Sequence, residues 1–259
     1  MTKYKVETGV QLLARLIKKP AIENFYPNLF QPGLKYDDVV DICGNISATN
    51  LLIDLISEAL SPNKTNEEPV GVLVFNTVGQ FNYKELIKTL KKKIVAQKGT
   101  HDDCQTELDS MLHKTLSNLF LLDIYDATQF YSTIHNLDSI LTKHQNISLL
   151  IFDTLTAFYW SEQGFRITKM DLYIKNLLRM IQKVSKEYRV IIIYTRPQYF
   201  SSSKDSGNLE IGEAQIPEGV KFKVQLIDNS TGTYQLNVRT LDLYYNKYIT
   251  MIDNEIKWQ

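Results

Sequence analysis

Two short stretches carry residue types that could handle a nucleoside triphosphate. One is the apolar run Leu149-Leu150-Ile151-Phe152, closed by Asp153. An acid at the C-terminal end of a buried parallel strand can hold a metal-bound water; its plainer use is to cap the turn that follows. The other runs from Gly44 to Leu51, after the apolar stretch Val39 to Cys43. Its place suits a phosphate loop, where glycines let backbone N–H groups wrap the phosphates, a lysine reaches the outer ones and a Ser/Thr oxygen meets magnesium. Gly44 matches the first glycine. Ser47 and Thr49 stand where glycines would, Asn50 where the lysine would, and Leu51 where the hydroxyl would. Asn50 brings no charge and Leu51 no oxygen. The expectation is a vestigial phosphate loop at Gly44, Ser47, Thr49 and Asn50, with Asp153 as the remnant metal contact and no catalytic residue. A helix N-terminus there would retain a residual pull on anions; a strand–turn–helix without ligand is the other reading.

Water activation needs a base. The strand ending at Phe75 leads into Asn76-Thr77-Val78-Gly79-Gln80, where neither Val78 nor Gln80 can take a proton at neutral pH. His101, His113, His135, His144, Cys43 and Cys104 form no zinc-ligand pattern. ATP and magnesium are therefore expected not to bind to the chain alone, but only weakly or at an interface with a partner.

For DNA, the candidates are Lys84, Lys88, Lys91 and Lys92, a stripe at helical spacing, with Arg196, Tyr199 and Lys204. Lysines can neutralise phosphates and tyrosine can stack on bases. The stretch around Lys204 also holds Asp205, Glu210, Glu213 and Glu218, so it is no basic track. The 29 basic and 29 acidic side chains cancel, giving no global attraction to nucleic acid.

These groups need a frame. Dense apolar runs at Val39–Cys43, Val70–Phe75, Leu119–Ile124, Ile147–Phe152 and Val190–Tyr194 read as buried parallel strands. Between them, helices are expected at 51–60, 83–95, 108–116, 129–141 and 168–187, the last with Met170, Ile174, Leu177, Ile181 and Val184 on one face. A helix is also expected over 8–18. After residue 200 the pattern turns to a loop-like segment and three strands at 221–227, 234–241 and 248–252, an antiparallel extension. The fold class is α/β, a mainly parallel central sheet flanked by helices. Two cysteines fit a reducing compartment rather than a disulfide scaffold. No stretch reaches the roughly 18 apolar residues of a membrane helix.

Three pieces carry a family resemblance: Glu7-Thr8-Gly9-Val10-Gln11-Leu12-Leu13-Ala14-Arg15-Leu16, Pro27-Asn28-Leu29-Phe30, and Leu149 to Trp160 with Phe158-Tyr159-Trp160 at its end. In that order they resemble the eukaryotic RecA-type recombinase paralogues, over about residues 7–200. The resemblance implies a RecA-like P-loop NTPase core at 36–259, preceded by an N-terminal helix and linker at 1–35. It implies a nuclear, non-catalytic subunit of a heteromeric recombinase-paralogue complex. Such a subunit would support homologous recombination and repair of double-strand breaks or stalled forks. Single-stranded or branched DNA would be met through the complex, and no membrane. Leu12, Leu13 and Leu16 are the candidate partner contacts. Two other functions stay open: an ATP-regulated, DNA-dependent recombination factor with a composite site, and an autonomous single-stranded DNA-binding module. Thr49-Asn50-Leu51 stands where the family keeps Gly-Lys-Thr.

Overall fold

The computed structural model describes residues 8–20, 22, 25–44, 46–61, 70–98, 105–163, 169–197, 216–229, 232–252 and 255–259. One sheet of nine strands runs through them: β1 Val39–Cys43, β2 Gly71–Asn76, β3 Leu119–Asp123, β4 Ile147–Asp153, β5 Ile191–Arg196, β6 Phe222–Asp228, β7 Thr233–Arg239, β8 Tyr244–Ile252 and β9 Glu255–Trp258. Its order is β3-β2-β4-β5-β1-β6-β7-β8-β9. From β3 to β6 all pairs are parallel; from β6 to β9 all are antiparallel. This is the mainly parallel sheet with an antiparallel extension that the alternation of apolar runs implied, and it is RecA-like, as the family resemblance implied. The last strand, β9, was not foreseen; its four residues are too short and mixed to signal themselves.

The helices are α1 Gly9–Leu16, α2 Ile46–Leu60, α3 Tyr83–Lys98, α4 Gln105–Leu116, α5 Ala127–His135, α6 Leu137–Lys143, α7 Tyr159–Glu162 and α8 Met170–Ser185. One helix was expected across 129–141. Instead α5 and α6 meet at Asn136, whose N–H closes α5 on Ser132 and Thr133 carbonyls. Asp126 caps α5, its Oδ1 accepting from Gln129 N at 2.8 Å.

Strands buried on both faces need two cores. On one face Val40, Ile42, Val72, Val74, Leu149, Ile151, Ile191 and Ile193 pack with Leu51, Leu52, Leu55 and Ile56 of α2 and Leu86, Leu90 and Ile94 of α3. On the other, Leu73, Phe75, Leu150, Phe152, Ile192 and Tyr194 pack with Phe130 and Ile134 of α5 and Ile174, Leu177, Leu178 and Ile181 of α8. The alternation along each strand assigns the faces.

The antiparallel strands continue the first core. Leu236, Val238 and Ile249 are fully buried there, and Met251, Ile256 and Trp258 pack against its edge. Ile22, Phe25, Tyr26, Leu29, Phe30 and Leu34 also join it. Tyr26 lies edge-on to Trp258 at 5.6 Å and its hydroxyl donates to Asp54 of α2. The segment after α1 is pinned to the sheet's lower end. Lys19 Nζ donates to the carbonyls of Gln145 and Ile147, and Arg189 donates to the carbonyl of Ile17. Burial, then the neighbouring Arg189, brings Lys19 down to about 8.

Candidate functional site

The carboxyl ends of β2, β4 and β5 are joined by a small polar network. Asp153 is buried and accepts from Thr195 Oγ1 at 3.0 Å. Burial raises its carboxyl above the ordinary range, and the Thr195 hydrogen bond only partly offsets this. Beside it, Thr154 N donates to Thr77 Oγ1 at 2.7 Å, Thr77 Oγ1 donates to Thr154 O at 2.7 Å, and Thr77 N donates to Asp153 O at 3.0 Å. Thr154 Oγ1 donates to Thr195 O, and Leu155 N reaches the same carbonyl at 3.1 Å. One strand further, Asn76 Nδ2 donates to Asp123 Oδ1 at 2.7 Å, while Asn76 Oδ1 accepts from Gly79 N at 3.1 Å. Gly79 has φ +69°, a turn conformation that side chains rarely adopt. Thr77 and Thr195 had given no sign in the sequence, because hydroxyls at strand ends acquire partners only when neighbouring strands align.

The phosphate-loop candidate has a different conformation from the one its sequence position suggested. Helix α2 was expected from Leu51; it starts at Ile46. Ser47, Thr49 and Asn50 therefore lie within a helix, not along a loop. Only Gly44 precedes it among the described candidates, buried at the end of β1, its N–H on Arg196 O at 3.1 Å. Leu51, in the magnesium-hydroxyl position, is fully buried in the first core. Asn50, in the lysine position, is partly exposed, with Nδ2 4.0 Å from the Met251 sulfur of β8. Asp153 and Asn50 thus sit on different supports, the end of β4 and the second turn of α2. Asn50 and Leu51 offer a magnesium–triphosphate group neither a cation nor a hydroxyl. Among the described residues there is no group of three or more His, Cys, Asp or Glu side chains fit to hold a metal ion.

The DNA candidates separate. Arg196 ends β5 and turns inward, with Nε 2.9 and 3.0 Å from the two Asp41 oxygens. Both side chains are buried. Burial penalises the Asp41 carboxylate, and Arg196 offsets that penalty; Asp41 in turn holds Arg196 charged. A guanidinium so engaged is not presented to a phosphate. Lys88 lies 3.2 Å from Glu85 and 3.9 Å from Glu255, Lys92 pairs with Glu255, and Lys91 lies 3.4 Å from Asp109. The stripe on α3 therefore bridges to β9 and α4, while Lys84 is exposed. Tyr199 and Lys204 lie outside the described residues, as does Cys104.

Leu12, Leu13 and Leu16 are 41, 52 and 69% exposed along α1. In the aromatic triplet, Tyr159 is buried edge-on to Tyr173 at 5.3 Å, whereas Trp160 is 64% exposed.

No family model matches the chain. It is 22% identical over 211 residues to the DNA repair protein XRCC2 of Mus musculus, covering 79% of this chain and 72% of that protein. It is also 30% identical over 94 residues to the DNA repair and recombination protein RadB of Methanosphaera stadtmanae, covering 36% of this chain and 39% of that one. These two similarities, with the RecA-like sheet, support a place for the chain among the RecA-family recombinase paralogues. The chain has a RecA-like sheet order with an acid, Asp153, at the end of β4, and its α2 starts at Ile46. No helix among the described residues is long and apolar enough to cross a membrane.

Proposed function

We propose that this paralogue is a non-catalytic subunit of a heteromeric recombinase-paralogue complex, acting in the nucleus in homologous recombination and in repair of double-strand breaks or stalled forks. The observation that carries the reading is α2: a helix from Ile46 that buries Leu51 and places Asn50 where a lysine would stand. The names of XRCC2 and RadB, both DNA repair proteins, support the recombination role. The sheet serves as a stiff frame. Leu12, Leu13 and Leu16 form the docking ridge for another paralogue, since exposed leucines on one short helix gain by burial. Single-stranded or branched DNA is met through the assembled complex; Lys84 is the lysine of the α3 stripe best placed to contribute.

Asp153 favours a second reading, an ATP-regulated composite site, because its buried carboxylate would gain from a cation supplied across an interface. Co-purification with a second recombinase paralogue tests the first reading. Leu13→Asp with Leu16→Asp is expected to abolish capture, while Asn50→Ala leaves it unchanged. ATP turnover by the isolated chain, lost in Asp153→Asn, would defeat the non-catalytic assignment. Magnesium–ATP binding that arises only in the complex would favour the composite site.

A further inference from the structure

In the antiparallel extension the two faces of the sheet differ in kind. Phe222, Val224 and Leu226 of β6, Leu236 and Val238 of β7, and Ile249 of β8 point into the first core. The residues that alternate with them turn to the other face. Among the described residues, the second core takes nothing from β6, β7 or β8. That face is polar and aromatic instead. Arg239 of β7 stands opposite Tyr244 of β8, Gln235 opposite Tyr248, and Asn237 opposite Asn246 between them. Lys223 pairs with Arg239 from β6. No residue turned to this face from the three strands is acidic. Tyr244 and Tyr248 are 47 and 44% exposed, and Asn246 is exposed as well. The Arg239 guanidinium lies over the Tyr244 ring, 5.3 Å from its centroid. Gln235 Nε2 donates to Asn237 Oδ1 at 2.7 Å, while the buried Asn237 Nδ2 has no acceptor among the described residues.

Four residues of strand rise set the two rings about 13 Å apart. Rings on one strand, amides between them and an arginine at one end suit an unpaired nucleic-acid strand. Bases stack on the rings, amides meet base edges and the guanidinium meets phosphate. We infer that the outer face of β7 and β8 is a surface by which this chain touches single-stranded DNA, with Tyr244 and Tyr248 as stacking platforms and Arg239 as a phosphate contact. The inference deepens the reading that DNA is met through the assembled complex and rests on it. Only unpaired bases can lie on the tyrosines, so single strands gain from them and intact duplexes do not.

Fluorescence anisotropy tests this: a labelled single-stranded oligothymidylate, or a duplex of equal length, is titrated into the complex of this chain with a second recombinase paralogue. Tyr244→Leu/Tyr248→Leu keeps apolar bulk and removes the rings. It is expected to weaken single-strand binding by about tenfold or more, while duplex binding and capture of the paralogue stay unchanged. Tyr244→Trp/Tyr248→Trp is expected to retain single-strand binding, and Arg239→Gln to flatten its salt dependence. Ultraviolet crosslinking of the wild-type complex to the oligonucleotide is expected to yield adducts in β8, and it decides the matter should the leucine pair not fold. Wild-type affinity in the leucine pair, an equal loss of duplex binding, or adducts confined to other elements would overturn the inference. Loss of paralogue capture by the leucine pair would make this face a protein interface and overturn it too. A wild-type complex that binds no single strand sinks the reading of DNA contact through the complex as well; unchanged binding in the leucine pair sinks this inference alone.

Discussion

The ends of β4 and β1 lie two strands apart in one sheet, and they have kept different things. At β4, Asp153 still stands where a metal-contacting acid would, tied to Thr195 and flanked by Thr154 and Thr77. At β1 the residues expected to form a phosphate loop lie, from Ile46 on, in the first turns of α2. The difference follows from what each region needs when no ligand is present. Buried polar groups require partners, and at the β4 end the protein supplies them to itself. A phosphate loop instead leaves its N–H groups waiting for an anion. With Asn50 and Leu51 bringing neither cation nor hydroxyl, a helix from Ile46 commits the N–H groups of Asn50 and Leu51 to its own carbonyls instead. A strand-end network can thus outlast its chemistry, whereas a ligand-shaped loop has nothing to keep it open.

Four substitutions sharpen or break that contrast. Arg196→Met should cost most, about 3–5 kcal/mol by urea unfolding, because it strands the buried Asp41 carboxylate. Arg196→Met/Asp41→Leu should recover most of that loss; no recovery would mean the pair does more than neutralise itself. Leu51→Ala should come next, at about 2–5 kcal/mol, since the side chain is wholly within the core. A loss under about 1 kcal/mol would place Leu51 at a loose loop instead. Asp153→Asn should change stability by no more than about 1 kcal/mol, and the sign has a pH signature. The folded carboxyl has its pKa raised by burial, so any stabilisation from its protonated form is lost as pH rises past the ordinary carboxyl value of 3.8 towards the folded one. Thermal melts should therefore show Asp153→Asn gaining on the wild type as pH rises through that window. The reverse trend would mean the ionised form is better satisfied than its single Thr195 bond indicates. Asn50→Ala should cost least, within about 0.5 kcal/mol, because the residue is partly exposed on α2. A larger effect would show that Asn50 has a structural duty of its own.

Much of the frame was legible because it depends on local repetition. The runs Leu149–Phe152 and Val190–Tyr194 read as parallel strands through their unbroken apolar character, and α8 through its three- and four-residue spacing. The start of α2 was not legible. Gly44 to Leu51 has the length and position of a phosphate loop, and nothing in Ile46-Ser47-Ala48-Thr49 forbids helix. Burial of Ala48 and Leu51 against β6 and the last strands decides it. The lysine stripe misleads in the same manner. Its spacing places Lys88 and Lys92 on one side of α3, but their shared partner, Glu255, is more than 160 residues away in sequence and becomes adjacent only when β9 closes the sheet.

By itself, the order of residues determined the layered α/β frame, the acid at the end of β4, and the uncharged side chains of Asn50 and Leu51. Tertiary structure decided that Arg196 neutralises Asp41 rather than facing outward, that Thr77, Thr154 and Thr195 bind one another, and that Ser47, Thr49 and Asn50 lie in a helix. The physical reason is reach. Side-chain chemistry and periodic burial are written over a few neighbouring residues, whereas the partner that satisfies a buried charge or fills an emptied site can come from anywhere in the chain.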